Sequence, residues 1–151
     1  MIEPTTDVAS VRVTVTVAVS PVEAFEVFTD EFDQWYRAGA ATLGRRGGPD
    51  STMRFEHGIG GRLLECWPGQ EPAERARITV WEPGARLVFV DQHDTEVDVR
   101  FVAVADGTRM VLEHRGLDRL PPGRAADIAK YGWRRLAEWF EAHLNERGQP
   151  W

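Results

Sequence analysis

PGRAADIAKYGWRRLAEWFEAHLNER, residues 122–147, is the stretch that decides how this chain folds. Ala129, Trp133, Leu136, Phe140, His143 and Leu144 recur in it at the helical repeat, which predicts one long amphipathic helix from Pro122 to Arg147. The chain before it reads mostly as alternating strands, with no other long helix to cover them. A sheet with one apolar face must bury that face against something, and this helix is the main candidate. A curved sheet around a single helix tends to leave a hollow, so the pattern predicts a cavity protein.

Upstream, Val11, Val13, Val15, Val17 and Val19 alternate with Arg12, Thr14, Thr16 and Ala18, as in a half-buried first strand. Ser20-Pro21-Val22-Glu23 then combines an N-cap serine, a proline at the first helical position and a capping-box glutamate. The helix that follows turns Ala24, Phe25, Val27 and Phe28 inward, and a second turn from Asp30 presents Phe32 and Trp35. Short strands are expected at Thr52–Glu56, Arg62–Cys66, Glu74–Trp81 and Arg86–Asp91. Asp106-Gly107 reads as a two-residue hairpin turn, which places Phe101 opposite Leu112, Val99 opposite His114, Arg100 opposite Glu113 and Asp98 opposite Arg115. That register puts His114 on the inner face with Val99, Phe101 and Leu112. The facing of Glu65 stays open, because either it or Leu64 and Cys66 can point inward.

Bulk properties narrow the class. The 151 residues suit one domain, and 42% hydrophobic content argues for a globular chain. A net charge of −6 disfavours a general nucleic-acid or anionic-membrane binder. Cys66 is the only cysteine, so no internal disulfide and no CxxC pair is expected. MIEPTTDVAS lacks the basic and apolar regions of a signal peptide, and no apolar run reaches the length of a membrane span. A cytoplasmic protein is the expectation. We divide the chain into a flexible tail at 1–10, one domain at 11–147 and a second tail at 148–151, the last a candidate for self-association as a homodimer.

Several segments together resemble the START-like (SRPBCC) superfamily, and within it the bacterial, AHSA1-like branch related to the C-terminal domain of the activator of Hsp90 ATPase. They are the opening strand with Ser20-Pro21-Val22-Glu23-Ala24-Phe25, then Phe28-Thr29-Asp30 leading to Trp35, then Gly60-Gly61-Arg62-Leu63. Glu82-Pro83-Gly84-Ala85-Arg86-Leu87-Val88-Phe89 and Gly132-Trp133 with Leu136 complete the match. The resemblance implies an α+β helix-grip (START/Bet v 1-like) fold. In it a curved seven-stranded antiparallel sheet surrounds a long C-terminal helix, with two short helices after the first strand and a pocket between sheet and helix. Members often carry an aromatic residue where Asp91 ends its strand here, which implies a more polar pocket.

Chemical motifs are sparse. Gly39 to Arg46 has the glycine spacing of a phosphate loop but lacks its lysine and hydroxyl residue, and Gly58-Ile59-Gly60-Gly61 opens a strand where a dinucleotide fingerprint opens a helix. The four histidines show no short paired spacing, so neither a metal nor a cofactor is expected. None of the serines lies in GxSxG. The favoured function is binding of a small hydrophobic or aromatic molecule, for sequestration, sensing or transport. Trp35, Phe55, Ile78, Phe89, Val99, Phe101, Trp133, Leu136 and Phe140 form the expected wall, Asp91, His93 and His114 the polar anchors, and the segment from Arg37 to Ser51 a lid. One alternative is a cyclase- or hydrolase-like enzyme in the same cavity, with His114 as acid or base. The other, implied by the Hsp90-activator relatives, is a chaperone-linked interaction module.

Overall fold

The computed structural model describes residues 5–6, 9–36, 50–128 and 132–147. A two-residue strand β1 (Thr5–Thr6) and β2 (Ser10–Val17) lead into α1 (Pro21–Asp30) and α2 (Phe32–Trp35). Then come β3 (Thr52–Phe55), β4 (Arg62–Cys66), β5 (Ala73–Glu82), β6 (Arg86–Asp91), β7 (Glu96–Val104) and β8 (Gly107–Arg115). Helical structure follows at α3 (Pro122–Asp127) and α4 (Trp133–Arg147), with wider π-type turns at Ile128 and Gly132. Of the helix expected over 122–147, Ala129, Lys130 and Tyr131 lie outside the described residues. So do most of the expected lid, the Gly39–Arg46 motif and the tail beyond Arg147.

The strands form one antiparallel sheet in the order β1-β2-β8-β7-β6-β5-β4-β3. These are the seven expected strands plus the short edge strand β1. Alternation in β2 puts Val11, Val13, Val15 and Val17 at 5% exposure or less on the inner face. There they meet α4, whose Trp133, Leu136, Ala137, Phe140 and Leu144 share one helical stripe. Ser20 Oγ accepts from the Glu23 N–H at 3.2 Å, so α1 starts where its cap residue stands. At its far end α4 is tied back to the first helices. His143 pairs with Glu31 at 2.8 Å, and Arg147 reaches Glu31 at 3.1 Å and Glu23 at 3.4 Å.

The β7–β8 hairpin differs from the expected register by two residues. Its turn is Ala105-Asp106, with Val104 opposite Gly107, Phe101 opposite Met110, Val99 opposite Leu112 and Val97 opposite His114. Gly107 serves close approach instead of the turn. A Cβ there would stand 2.0 Å from the Val17 carbonyl oxygen where β8 begins its pairing with β2. An even shift preserves facing, so His114 still points inward while every cross-strand partner changes.

The new register sets Asp98 directly opposite Glu113, a like-charged pair, on the outer face. Arginines resolve the conflict. Arg86 donates to both Asp98 oxygens at 3.1 and 2.9 Å, and Arg115 adds a bond at 3.0 Å while reaching Glu113 at 2.7 Å. Arg12 holds the other Glu113 oxygen at 2.9 Å. The expected Asp98–Arg115 contact therefore forms diagonally, and Arg100 approaches Asp98 at 3.7 Å. Burial of Asp98 would raise its pKa, but the hydrogen bonds from Arg86 and Arg115 outweigh that and hold it below the ordinary 3.8. This stabilisation is present above that value and is lost as pH falls through the lower folded-state pKa. Asp98→Asn is expected to cost about 2 kcal/mol at pH 7 by urea denaturation, because it removes the charge and one of the two acceptor oxygens that Arg86 and Arg115 share.

Candidate functional site

Antiparallel order brings the C-terminal ends of β4, β6 and β8 to the same end of the sheet as the N-terminal ends of β2, β5 and β7. On the inner face four buried polar groups gather at this end: Glu65 on β4, Asp91 on β6, Thr95 before β7 and His114 on β8, all at 8% exposure or less. The opposite end is mainly apolar, and its buried Thr108 hydroxyl donates to the Val19 carbonyl at 2.7 Å. Phe25 meets Phe101 at 5.4 Å and Trp81 at 5.0 Å between ring centres. The inner face is thus divided lengthwise into a polar mouth and an apolar floor.

Aromatic side chains fill the floor. Phe28 lies 4.9 Å from Trp35, 5.7 Å from Phe140, 6.1 Å from Phe101 and 6.5 Å from Phe55, and Phe55 lies 5.3 Å from Phe89. The expected wall residues Trp35, Phe55, Ile78, Phe89, Val99, Phe101, Trp133, Leu136 and Phe140 are all brought together here, at 5% exposure or less. Among the described residues, the space between them and α4 is a void of about 10 Å³, lined by Phe28, Trp35, Trp133, Phe140 and their neighbours. That is about the room of one water, in apolar surroundings that offer it no partners. These side chains pack as core.

His114 is fully buried and joins three elements. The Trp133 indole N–H, which can only donate, bonds His114 Nδ1 at 2.8 Å. Nδ1 is therefore the acceptor, the ring proton sits on Nε2, and Nε2 donates to Thr95 Oγ1 at 2.8 Å. Burial pushes the imidazole pKa down to about 4; the Asp91 carboxylate opposes this and the Arg124 charge adds to it. A proton on Nδ1 would also face the indole N–H. A histidine with both nitrogens engaged has no free lone pair or mobile proton to offer a substrate at neutral pH.

The other anchors divide. Asp91 is buried, and its Oδ1 accepts from the backbone N–H of His93 at 2.9 Å and of Thr95 at 3.0 Å, so this carboxylate organises the β6–β7 turn. His93 does not join it: its side chain is exposed on that turn. Glu65 takes the inward option with Leu63, while Leu64 faces away from that core cluster and Cys66 is half-buried. The pairing of β4 with β5 skips Arg75, a bulge residue whose guanidinium meets Glu65 at 2.8 Å. Thr95, Arg75 and Arg124 are the polar residues of this end that sequence reasoning passes over. Bulges and long-range hydrogen bonds leave no local pattern, and Arg124 is one arginine in a short Pro-Gly segment. Among the described residues, no group of three or more His, Cys, Asp or Glu converges as metal ligands, and no helix is long and apolar enough to cross a membrane.

A family model described as Activator of Hsp90 ATPase homolog 1-like protein matches residues 18–145. The chain belongs to this family. Solved structures agree on the fold of this AHSA1-like chain. A protein from Rhodobacter sphaeroides is 16% identical with a TM-score of 0.66, the match covering 97% of this chain and 99% of that one. A Mesorhizobium loti protein is 19% identical at TM-score 0.65, over 93% of this chain and 99% of its own. An AHSA1-like protein from Aeromonas hydrophila is 18% identical at TM-score 0.63, over 92% and 94%. No curated protein matches this chain. The START-like, helix-grip architecture follows from these matches and from the sheet order.

Proposed function

We propose that this AHSA1-like chain binds a small apolar or aromatic molecule at the polar mouth of its inner face, beside the start of α4, for sequestration, sensing or transport. The observation that carries this reading is the lengthwise division of the face. Buried polar groups from separate strands gather at one end beside Trp133, and an aromatic floor closes the other. Ligand sites commonly combine an apolar wall with a few placed polar groups. A ligand at this end would sit higher than in the deep hollow expected from sequence. The acid–base alternative has little support, since its candidate His114 is committed to Thr95 and Trp133.

The neutral fluorophore aminoanthracene tests the reading. Saturable one-to-one binding to the full chain, weakened in Trp133→Phe, supports it; no saturable binding at high micromolar concentration overturns it. Native mass spectrometry of the purified protein adds a search for a retained small molecule. One observation favours a second reading: among the described residues the void beneath α4 is only about 10 Å³, as suits a chaperone-linked interaction module. Recovery of Hsp90 on the immobilised chain, together with stimulated ATP hydrolysis, would favour that alternative.

A further inference from the structure

Every group at the polar mouth so far described has a partner. Glu65 has Arg75, Asp91 has two backbone N–H groups, and His114 has Thr95 and Trp133. Arg124 on α3 is the exception. Its Nη2 is buried from solvent and has no hydrogen-bond partner among the described residues. It also forms no ion pair within 4.0 Å among them. A guanidinium stays charged at any physiological pH, so the group cannot escape by losing its proton. A buried donor without an acceptor is costly, and such an atom in a native structure calls for a missing acceptor.

The geometry points to Arg124 as the anchor for a carboxylate, so that the molecule bound at the mouth is an apolar or aromatic acid. This rests on the binding reading proposed above and narrows its ligand class. The guanidinium fork matches a carboxylate in shape and charge. Arg124 stands on α3, which follows the tight turn Leu117–Arg119 off the end of β8; Arg119 bonds the Asp94 carbonyl of the β6–β7 turn, so this segment lies at the His114 end of the sheet, and the Arg124 charge acts on that ring. Asp91 acts on the same ring, so the mouth also holds a fixed negative charge. That balance suits a singly charged carboxylate better than a phosphate dianion. Leu120, Ile128 and Trp133, from the segments on either side of Arg124, are apolar and buried, so the body of the acid has to open this packing to enter.

Titration calorimetry of the full chain with decanoate and phenylacetate against decanamide and phenylacetamide tests the assignment. The acids are expected to bind about 10- to 100-fold more tightly than the matched amides. Arg124→Gln should erase that preference, and Arg124→Lys should keep part of it. Because the guanidinium has an unmet donor in the free protein, Arg124→Gln is expected to leave Tm unchanged or raise it. Equal affinity for acids and amides, or a preference that survives in Arg124→Gln, overturns the inference while aminoanthracene binding still stands. A fall of several degrees in the Tm of free Arg124→Gln assigns the group a structural partner and also overturns it. Failure of the acids and of aminoanthracene together removes both the inference and the binding reading.

Discussion

Lowering the pH from neutral to about 4 is expected to cost the folded protein about 3 kcal/mol through His114 alone. The imidazole titrates at 6.5 in the unfolded chain and is pushed down to about 4 in the folded one. Above 6.5 both states are neutral and the full stability is present. Between those two values the unfolded chain binds a proton that the folded chain refuses, so stability falls as pH falls. Below about 4 the folded ring charges as well, and this contribution to the slope ends. Burial is the main cause, and the indole of Trp133 reinforces it by donating to the nitrogen that would have to carry the new proton. Guanidinium denaturation at pH 7, 5.5 and 4 reads the effect. His114→Gln should be less stable at pH 7 by about 1–3 kcal/mol, since one of the two hydrogen bonds is lost. It should also lose most of the slope between pH 7 and 5.5, where the carboxylates do not yet titrate. A slope unchanged in His114→Gln would show that other groups carry the acid sensitivity.

Phe28→Ala is expected to destabilise the fold by about 4 kcal/mol, in the range found for deleting a buried phenyl ring. Phe28 is fully buried and its ring touches Phe32, Trp35, Phe55, Phe101 and Phe140. Removing it takes contacts from α2, from α4 and from two regions of the sheet together. The vacated space would merge with the adjoining void that Phe28 already lines. An enlarged apolar cavity stays dry and admits a small aromatic guest, so saturating benzene should raise the variant's Tm while leaving the parent unchanged. A loss below about 1.5 kcal/mol would mean that the floor collapses into the gap instead of holding it open.

Much of the fold was legible because it rests on short-range pattern. The four alternating valines of β2, the Ser20 cap and the stripe from Trp133 to Leu144 each lie within one element and declare which side is buried. The inward facing of His114 was legible for a related reason. A hairpin register wrong by two residues leaves the alternation intact, so the facing held while all its partners were misassigned. Gly107 misled because glycine serves tight turns and close approach alike, and only the position of the Val17 carbonyl tells them apart.

The candidate site was less legible. The twelve expected residues include nine that pack as core, and whether large side chains line a space or fill it depends on summed volumes across elements far apart in sequence. His93 sits on the β6–β7 turn that Asp91 organises, where its backbone N–H meets the carboxylate but its side chain is exposed. Arg75 reaches Glu65 through a bulge, which no local period announces.

Sequence by itself determined most elements and their inner faces, because backbone periods and caps act over a few residues, and the resemblance to the START-like superfamily implied the helix-grip architecture. Tertiary structure alone decided the hairpin register, the filling of the floor, the tautomer of His114 and the unmet donor on Arg124. Each of these depends on distances between side chains that the chain brings together only when the sheet curls onto α4.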